Sequence, residues 1–319
     1  MLEGEARRML MLIKSGGEAQ LPEWQDVFAE ADPRLVLRWW DDPTVRAEDV
    51  RLALVWDPEP GRLARYPNLG LILCSGAGVD AIVRDPALPA VPIVRLATPG
   101  AAQRMGEYVC WAVLSLLKGA RRFARNQAAG VWEYFEPRVT APESRVGILG
   151  LGVLGGRAAA MLAGLGFQVA GWSRGRKAIP GVESFAGDAE LDAFLARSDI
   201  LVCLLPDTPA TRGILSAPLF AKLPKGAGLV NAGRGAHQRF ADIVAALESG
   251  QLSGAVLDVF EDEPLPAGHA AWSHPGILVT PHCASLASKP ERARFAAAVI
   301  AAWGRGEALP NLFDPARGY

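Results

Sequence analysis

Cysteine and histidine are both scarce in this chain, with four of each in 319 residues. The cysteines, Cys74, Cys110, Cys203 and Cys283, are scattered and form no C-x-x-C pair. That spacing speaks against a disulfide framework or a zinc cluster and suits a reducing cytoplasm. The histidines lack metal-ligand spacing such as H-x-x-x-H, so no metal is expected. An excess of one charge is missing too: 33 basic and 34 acidic residues leave a net charge of −1. A global electrostatic grip on nucleic acid or an anionic membrane is therefore not expected. No apolar run approaches the roughly 18–20 residues of a membrane span. The start, Met1-Leu2-Glu3-Gly4-Glu5, lacks the basic region and apolar core of a signal peptide. Internal repeats and low-complexity tracts are also missing.

What remains is an ordinary globular composition, 50% apolar and 21% charged. At roughly 100–200 residues per domain the length suggests two domains. A chain this long can bury roughly 75% of its unfolded surface without staples. Short apolar runs alternate with helical stretches, which predicts parallel sheets with crossover helices, an α/β fold. Strands are expected at Met9–Ile13, Leu52–Trp56 and Leu69–Cys74, with a helix over Trp24–Ala31. The third strand runs into Ser75-Gly76-Ala77-Gly78-Val79-Asp80, where small residues let backbone N–H groups face an anion. One long helix is expected from Pro99 to about Ala129. A loop with aromatic and proline residues follows it, over Val131–Ser144. A second α/β series starts at Arg145, with strands at Phe167–Trp172, Ile200–Leu205, Gly228–Asn231, Ala255–Val259 and Ile277–Thr280. Helices are expected over Asp188–Arg197, Pro218–Leu223, Phe240–Ser249 and Pro290–Trp303, with Ser216 as an N-cap.

Gly150-Leu151-Gly152-Val153-Leu154-Gly155 follows an apolar strand and opens a helix over Arg157–Leu165. In that context the glycines fit a dinucleotide site. Gly150 permits the tight turn, Gly152 lets pyrophosphate approach the backbone, and Gly155 lets helix and strand pack closely. The N-terminal N–H groups of the helix favour the phosphate charge, with Val153 and Leu154 on the first turn. The next strand ends Trp172-Ser173-Arg174-Gly175-Arg176-Lys177, without the acidic residue that would hold a ribose 2′-hydroxyl. Ser173, Arg174, Arg176 and Lys177 would instead welcome a 2′-phosphate, so NADP(H) is expected over NAD(H), whose use is a matter of degree. A solvated basic loop is the bland alternative.

Three late strand ends carry reactive side chains: Asn231-Ala232-Gly233-Arg234-Gly235, the stretch Asp258–Leu265, and Thr280-Pro281-His282-Cys283-Ala284. Each of Arg234, Glu263 and His282 taken singly could be structural. Taken together behind a dinucleotide turn, they form a candidate catalytic set. His237, His269 and His274 have no such support. Cys283 reads as a buried structural cysteine. Trp39, Trp40, Trp56, Trp111 and Trp132 read as core or interface residues, with Trp56 a candidate wall of the substrate pocket.

These motifs resemble the D-isomer-specific 2-hydroxyacid dehydrogenase family over nearly the whole chain, and above all its glyoxylate/hydroxypyruvate reductase A branch. The branch likeness rests on Ala77-Gly78-Val79-Asp80, Trp172-Ser173-Arg174, Ala186-Gly187, Leu204-Leu205-Pro206, Glu263-Pro264-Leu265-Pro266 and Ala316-Arg317-Gly318-Tyr319. The resemblance implies NADPH-dependent reduction of glyoxylate to glycolate and hydroxypyruvate to D-glycerate. His282 would donate the proton, Glu263 would orient it, and Arg234 would hold the substrate carboxylate. Ala77 and Gly78 would grip that carboxylate from the other side. Leu205, Pro206 and Ala232 would line the cofactor, and Asp258 would hold the nicotinamide carboxamide. The implied architecture is two Rossmann-like or flavodoxin-like domains. A discontinuous substrate-side domain would take residues 1–99 plus 290–319, and a cofactor domain 100–289, with the active site in the cleft between them and closure excluding water. In the family the Trp132, Tyr134 and Phe135 loop often serves a homodimer contact. Alternatives are a reductase of larger 2-keto acids, a non-catalytic NAD(P)-sensing interaction protein, and a methyltransferase-like nucleoside binder in which the charged set would have no job.

Overall fold

The computed structural model describes residues 8–135 and 139–318. The opening Met1–Glu5 and the closing Tyr319 lie outside the described residues. The chain divides into two compact units, Met1–Gly100 with Leu286–Tyr319, and Ala101–Ser285.

The first unit is a five-stranded parallel sheet of order β2-β1-β3-β4-β5. Its strands are β1 (Met9–Lys14), β2 (Leu35–Trp39), β3 (Val50–Val55), β4 (Leu71–Cys74) and β5 (Ile93–Arg95). This is the flavodoxin-like order. Strands β3 and β4 are buried almost throughout, because helices cover both faces of a parallel sheet. Helix α1 (Leu21–Ala31) places Trp24 and Phe28 in the core, while α2 (Asp80–Val83) is a single turn. The C-terminal helix Lys289–Gly304 returns to this unit. Its Ala293, Ala296, Val299 and Ile300 join Met11, Ile13, Trp24 and Phe28 in one core. Near its start, Glu291 accepts from the Thr98 hydroxyl and the Gly100 N–H.

The second unit opens with α3 (Pro99–Lys118) and α4 (Ala120–Ala128). The single helix expected over this span is therefore two. Gly119 adopts φ 69°, the left-handed conformation that ends a helix, and α4 has no buried residue to carry the apolar stripe onward. The seven strands are β6 (Arg145–Leu149), β7 (Gln168–Ser173), β8 (Val182–Ala186), β9 (Ile200–Cys203), β10 (Ala227–Asn231), β11 (Leu252–Leu257) and β12 (Ile277–Val279). All pairs are parallel, in the order β12-β11-β10-β9-β6-β7-β8. Strand order reverses between β6 and β9, and ligands of open α/β sheets bind at the carboxyl end of such a switch point. The crossover helices are α5 (Val153–Gly164), α6 (Asp188–Ala196), α7 (Ala217–Phe220) and α8 (Phe240–Glu248). Ser216 sits at the N-cap of α7 but does not cap it. Its hydroxyl donates backward to Ile214 O, and the Ala217 N–H is taken by Asp242 instead. Among the described residues no helix is long and apolar enough to cross a membrane.

Candidate active site

At the end of β6, Gly150 has φ 100° and lies so close to β9 that a Cβ would stand 2.7 Å from Leu204 O. A Cβ on Gly155 would collide with Gly150 O, so the helix can approach the strand only with glycine there. Gly152, by contrast, has open space where a Cβ would be. Helix α5 begins at Val153, one turn earlier than the sequence suggested. Val153, the first residue of the helix, is 51% exposed. A tight turn, bare backbone and a twelve-residue helix together fit a pyrophosphate.

The end of β7 carries Ser173, Arg174, Arg176 and Lys177 and no carboxylate, which fits a 2′-phosphate. The structure adds one qualification. Arg176 is tied to Glu190 and to Ser184 O, and Glu190 also accepts from the Ala186 N–H. Arg174 and Lys177 are exposed like Arg176, so the loop presents three cations at this strand end. Glu190 carries no motif, so sequence reasoning passed it over. On the far side of the switch point, Leu205 and Ala232 are buried and Pro206 is half-buried.

The reactive side chains gather on the same edge, beyond β10, β11 and β12. His282 Nδ1 lies 2.6 Å from Glu263 Oε2, and each side chain keeps about a third of its surface, 36% and 33%. Burial raises the Glu263 carboxyl. That effect is outweighed by the hydrogen bond to His282, by the Phe260 N–H, and by the charges of His282 and Arg234, which hold it below its ordinary range. The Arg234 guanidinium is thus within electrostatic reach of the pair. Nδ1 is the ring atom that Glu263 engages, which fixes the orientation of the imidazole.

His282 has φ 51°, a left-handed conformation rare for a side chain of this size. The backbone is held there by its N–H, which donates to Asp258 O at 2.8 Å and Thr280 O at 3.2 Å. The Asp258 carboxylate, itself 1% exposed, fixes the rest of the turn. Its Oδ1 accepts from Thr280 Oγ1 at 2.7 Å and the Cys283 N–H at 2.9 Å, and Oδ2 accepts from the Ala284 N–H at 3.1 Å. Asp258 therefore acts within the protein as the organiser of the histidine turn, beyond the carboxamide contact expected of it. Tyr108 extends the chain by donating to Thr280 Oγ1 at 2.6 Å. Burial pushes its phenol well above the ordinary range, so it remains a donor.

Cys283 is exposed, which corrects the expectation of a buried residue. Its Sγ lies 3.7 Å from Asp258 Oδ1, at the rim of the histidine turn. Desolvation and the neighbouring Asp258 push its thiol up, away from nucleophile chemistry. His269 and His274 serve their loops, accepting from the Ala271 and Gly276 N–H groups through Nδ1. His237 is wholly buried and holds the Arg234 backbone, a role with no signature in the sequence. Among the described residues no group of three or more His, Cys, Asp or Glu side chains could hold a metal ion.

In the first unit, the turn after β4 carries Ala77 and Gly78. Trp56, at the end of β3, is 38% exposed and lies over this turn: a Cβ on Gly76 would collide with its ring. Cys74 Sγ donates to Gly78 O at 2.9 Å. Loop backbone and one indole thus meet at this turn, and Lys14 and Arg95 close β1 and β5 on the same carboxyl edge.

Residues 110–284 match the family model described as D-isomer specific 2-hydroxyacid dehydrogenase, NAD binding domain. The chain is 39% identical to glyoxylate/hydroxypyruvate reductase A of Salmonella paratyphi B over 305 residues, 93% of this chain and 96% of that protein. A D-isomer specific 2-hydroxyacid dehydrogenase from Xanthobacter autotrophicus Py2, solved with NADPH and MES, is 43% identical. It superposes with a TM-score of 0.92 over 98% of this chain and 100% of that one. An NADPH-dependent glyoxylate/hydroxypyruvate reductase from Sinorhizobium meliloti, solved with NADP and sulfate, is 38% identical. Its TM-score is 0.89 over 98% of this chain and 100% of that one. With a seven-stranded dinucleotide-binding sheet and the Arg234, Glu263 and His282 loops on its carboxyl edge, the chain belongs to the D-isomer specific 2-hydroxyacid dehydrogenase family.

Proposed function

We propose that the protein is an NADPH-dependent reductase of small 2-keto acids, converting glyoxylate to glycolate and hydroxypyruvate to D-glycerate. The observation that carries this reading is the His282–Glu263 pair, 2.6 Å apart beside the charge of Arg234 at a dinucleotide-binding sheet edge. The names of the relatives, and the NADPH and NADP in their structures, support the same substrates and cofactor. Gly150, Gly152, Val153, Leu154 and Gly155 would hold the pyrophosphate, and Ser173, Arg174, Arg176 and Lys177 the 2′-phosphate, Arg176 also pairing with Glu190. Leu205, Pro206, Ala232 and Asp258 would line the nicotinamide half. When bound, NADPH supplies the hydride that the carbonyl carbon receives. His282 delivers the proton to the keto oxygen from Nε2 while Glu263 steadies the imidazolium at Nδ1. Arg234 neutralises the substrate carboxylate and the charge that develops on the oxygen. Trp56, Ala77 and Gly78 are the remaining substrate-binding residues in this reading.

The protein would work as a homodimer in the cytoplasm. The first point is supported by aromatic exposure on the α3–α4 region and the loop after it: Trp132 99%, Tyr134 86%, Phe123 51% and Trp111 43%. The second is supported by four cysteines that form no disulfide. The deciding experiment compares NADPH and NADH side by side, using glyoxylate, hydroxypyruvate and a series of longer keto acids. A higher kcat/KM with NADPH and the two smallest acids is expected. Preference for bulky keto acids, or for NADH, would overturn the assignment.

A further inference from the structure

His237 stands three residues after Arg234, in the short turn Gly235–His237, and is 0% exposed. A buried imidazole needs a partner for each ring nitrogen. Nδ1 lies 3.1 Å from the Arg234 backbone N and 3.7 Å from Cys203 Sγ, and Nε2 lies 3.2 Å from Pro206 O. A backbone N–H can only donate and a carbonyl can only accept. The ring is therefore neutral, with a bare Nδ1 and its proton on Nε2. Burial also pushes the Cys203 thiol up to about 12, which leaves its S–H as a second donor toward Nδ1.

Asn231 completes the hold on the arginine. Its Oδ1 accepts from the Gly233 N–H, and its Nδ2 donates to Arg234 O, both at 3.1 Å. The N–H and the C=O of Arg234 are thus each taken by a side chain, His237 on one and Asn231 on the other. Gly233 leaves room for this arrangement: a Cβ there would stand 3.0 Å from His237 Nδ1 and 3.1 Å from Leu205 O. The same imidazole that grips the arginine loop is anchored to the Leu205–Pro206 segment after β9. Arginine reaches its ligand on a long stem, so a small shift of its backbone is magnified at the guanidinium, and misplacement by about 1 Å can cost roughly a hundredfold in rate.

We propose that His237 is a positioning residue that holds the Arg234 backbone N–H through Nδ1, its ring oriented by Pro206 O at Nε2, so that the substrate-holding arginine keeps its place. This rests on the reading of Arg234 as the holder of the substrate carboxylate, and adds a residue which that reading does not use.

The test uses the full-length protein and four variants. His237→Phe keeps the ring and loses both hydrogen bonds. His237→Asn places an amide oxygen near the position of Nδ1 and keeps the bond from Arg234. His237→Gln places an amide nitrogen near Nε2 and keeps only the bond to Pro206. Arg234→Ala is the reference. For each, kcat and KM for glyoxylate, the Kd for NADPH by nicotinamide fluorescence, and Tm are measured. His237→Phe is expected to raise KM about tenfold or more while the NADPH Kd moves less than about threefold. His237→Asn should recover most of the KM, and His237→Gln should not. Wild-type KM in His237→Phe, or equal KM in the Asn and Gln variants, would overturn the proposal. Should the Phe variant fail to fold, the Asn–Gln difference decides. If Arg234→Ala still reduces glyoxylate with unchanged KM, the role of the arginine itself is wrong. If it fails while His237→Phe behaves as wild type, only the clamp is wrong.

Discussion

Two parallel sheets end in two very different carboxyl edges. The edge of the second sheet has a glycine turn feeding a twelve-residue helix, an arginine, a buried aspartate, and a histidine with its glutamate. The edge of the first has Ser75–Gly78 feeding a four-residue helix, with Trp56 lying over it. Similar topology therefore does not bring similar chemistry. Loops carrying Arg234, Glu263 and His282 follow the strands of one edge, while at the other an indole covers a turn of small residues between strand ends that carry Lys14 and Arg95.

The sharpest way to break that contrast is to remove the charged groups. His282→Ala should lower kcat by about 10²–10⁴-fold, the range of a lost general acid, without loosening NADPH. Glu263→Gln should cost less, because the imidazole remains and loses only its orienting carboxylate. Steady-state rates and cofactor titrations check both. Next come the glycines. Gly155→Ala meets backbone at Gly150 O and should abolish NADPH binding and lower Tm by several degrees. Gly76→Ala meets only the Trp56 side chain, so it should spare Tm and alter KM, and the added change Trp56→Ala should relieve it. Equal damage from the two glycine changes would erase the distinction between the edges.

Arg174→Ala should weaken NADPH by about tenfold to a hundredfold, as expected for a charge-assisted hydrogen bond of about 1.5–3 kcal/mol, and leave NADH nearly unchanged. A parallel loss for both cofactors would remove the 2′-phosphate assignment. The smallest effect lies in the first unit. The Lys14 ammonium, with help from the Trp40 N–H, lowers the Glu59 carboxyl from 4.5 to about 2. A depressed folded value means stability that is present above pH 4.5 and is lost as the pH falls toward 2. Glu59→Gln should therefore lower Tm slightly at neutral pH, converge with wild type near pH 2, and so flatten the acid limb of a Tm-against-pH curve. Glu59 is largely exposed, so the change should be slight.

Much of this architecture is legible in the residues. The glycine turn and the late strand ends can be read because apolar runs of four to six residues precede each motif. Three strands escape such reading. β5 has three residues among prolines, β2 carries Arg38 and an exposed face, and β8 has no fully buried position at all. Pairing with a neighbour, which no local pattern encodes, makes them strands. The break at Gly119 escapes because apolar periodicity runs right up to it. The Arg234–Glu263–His282 set is legible as residue types after successive strands. The clamp of His237 and the turn-building of Asp258 are not, because their partners are backbone atoms whose placement depends on the fold. Glu190 and Arg176 show the same limit: a cation in a promising position can already be engaged by a carboxylate many residues away.

The return of the C-terminal helix has a consequence for synthesis on the ribosome. Met11, Ile13, Trp24 and Phe28 emerge early, yet Ala293, Ala296, Val299 and Ile300, which cover them, emerge only after all of Ala101–Ser285 has been made. Until then that apolar face stays wet and open to wrong partners, while the segment in between can fold on its own schedule. A nascent chain arrested before Lys289 should carry a protease-resistant second unit and a protease-sensitive first one, the reverse of their order along the message.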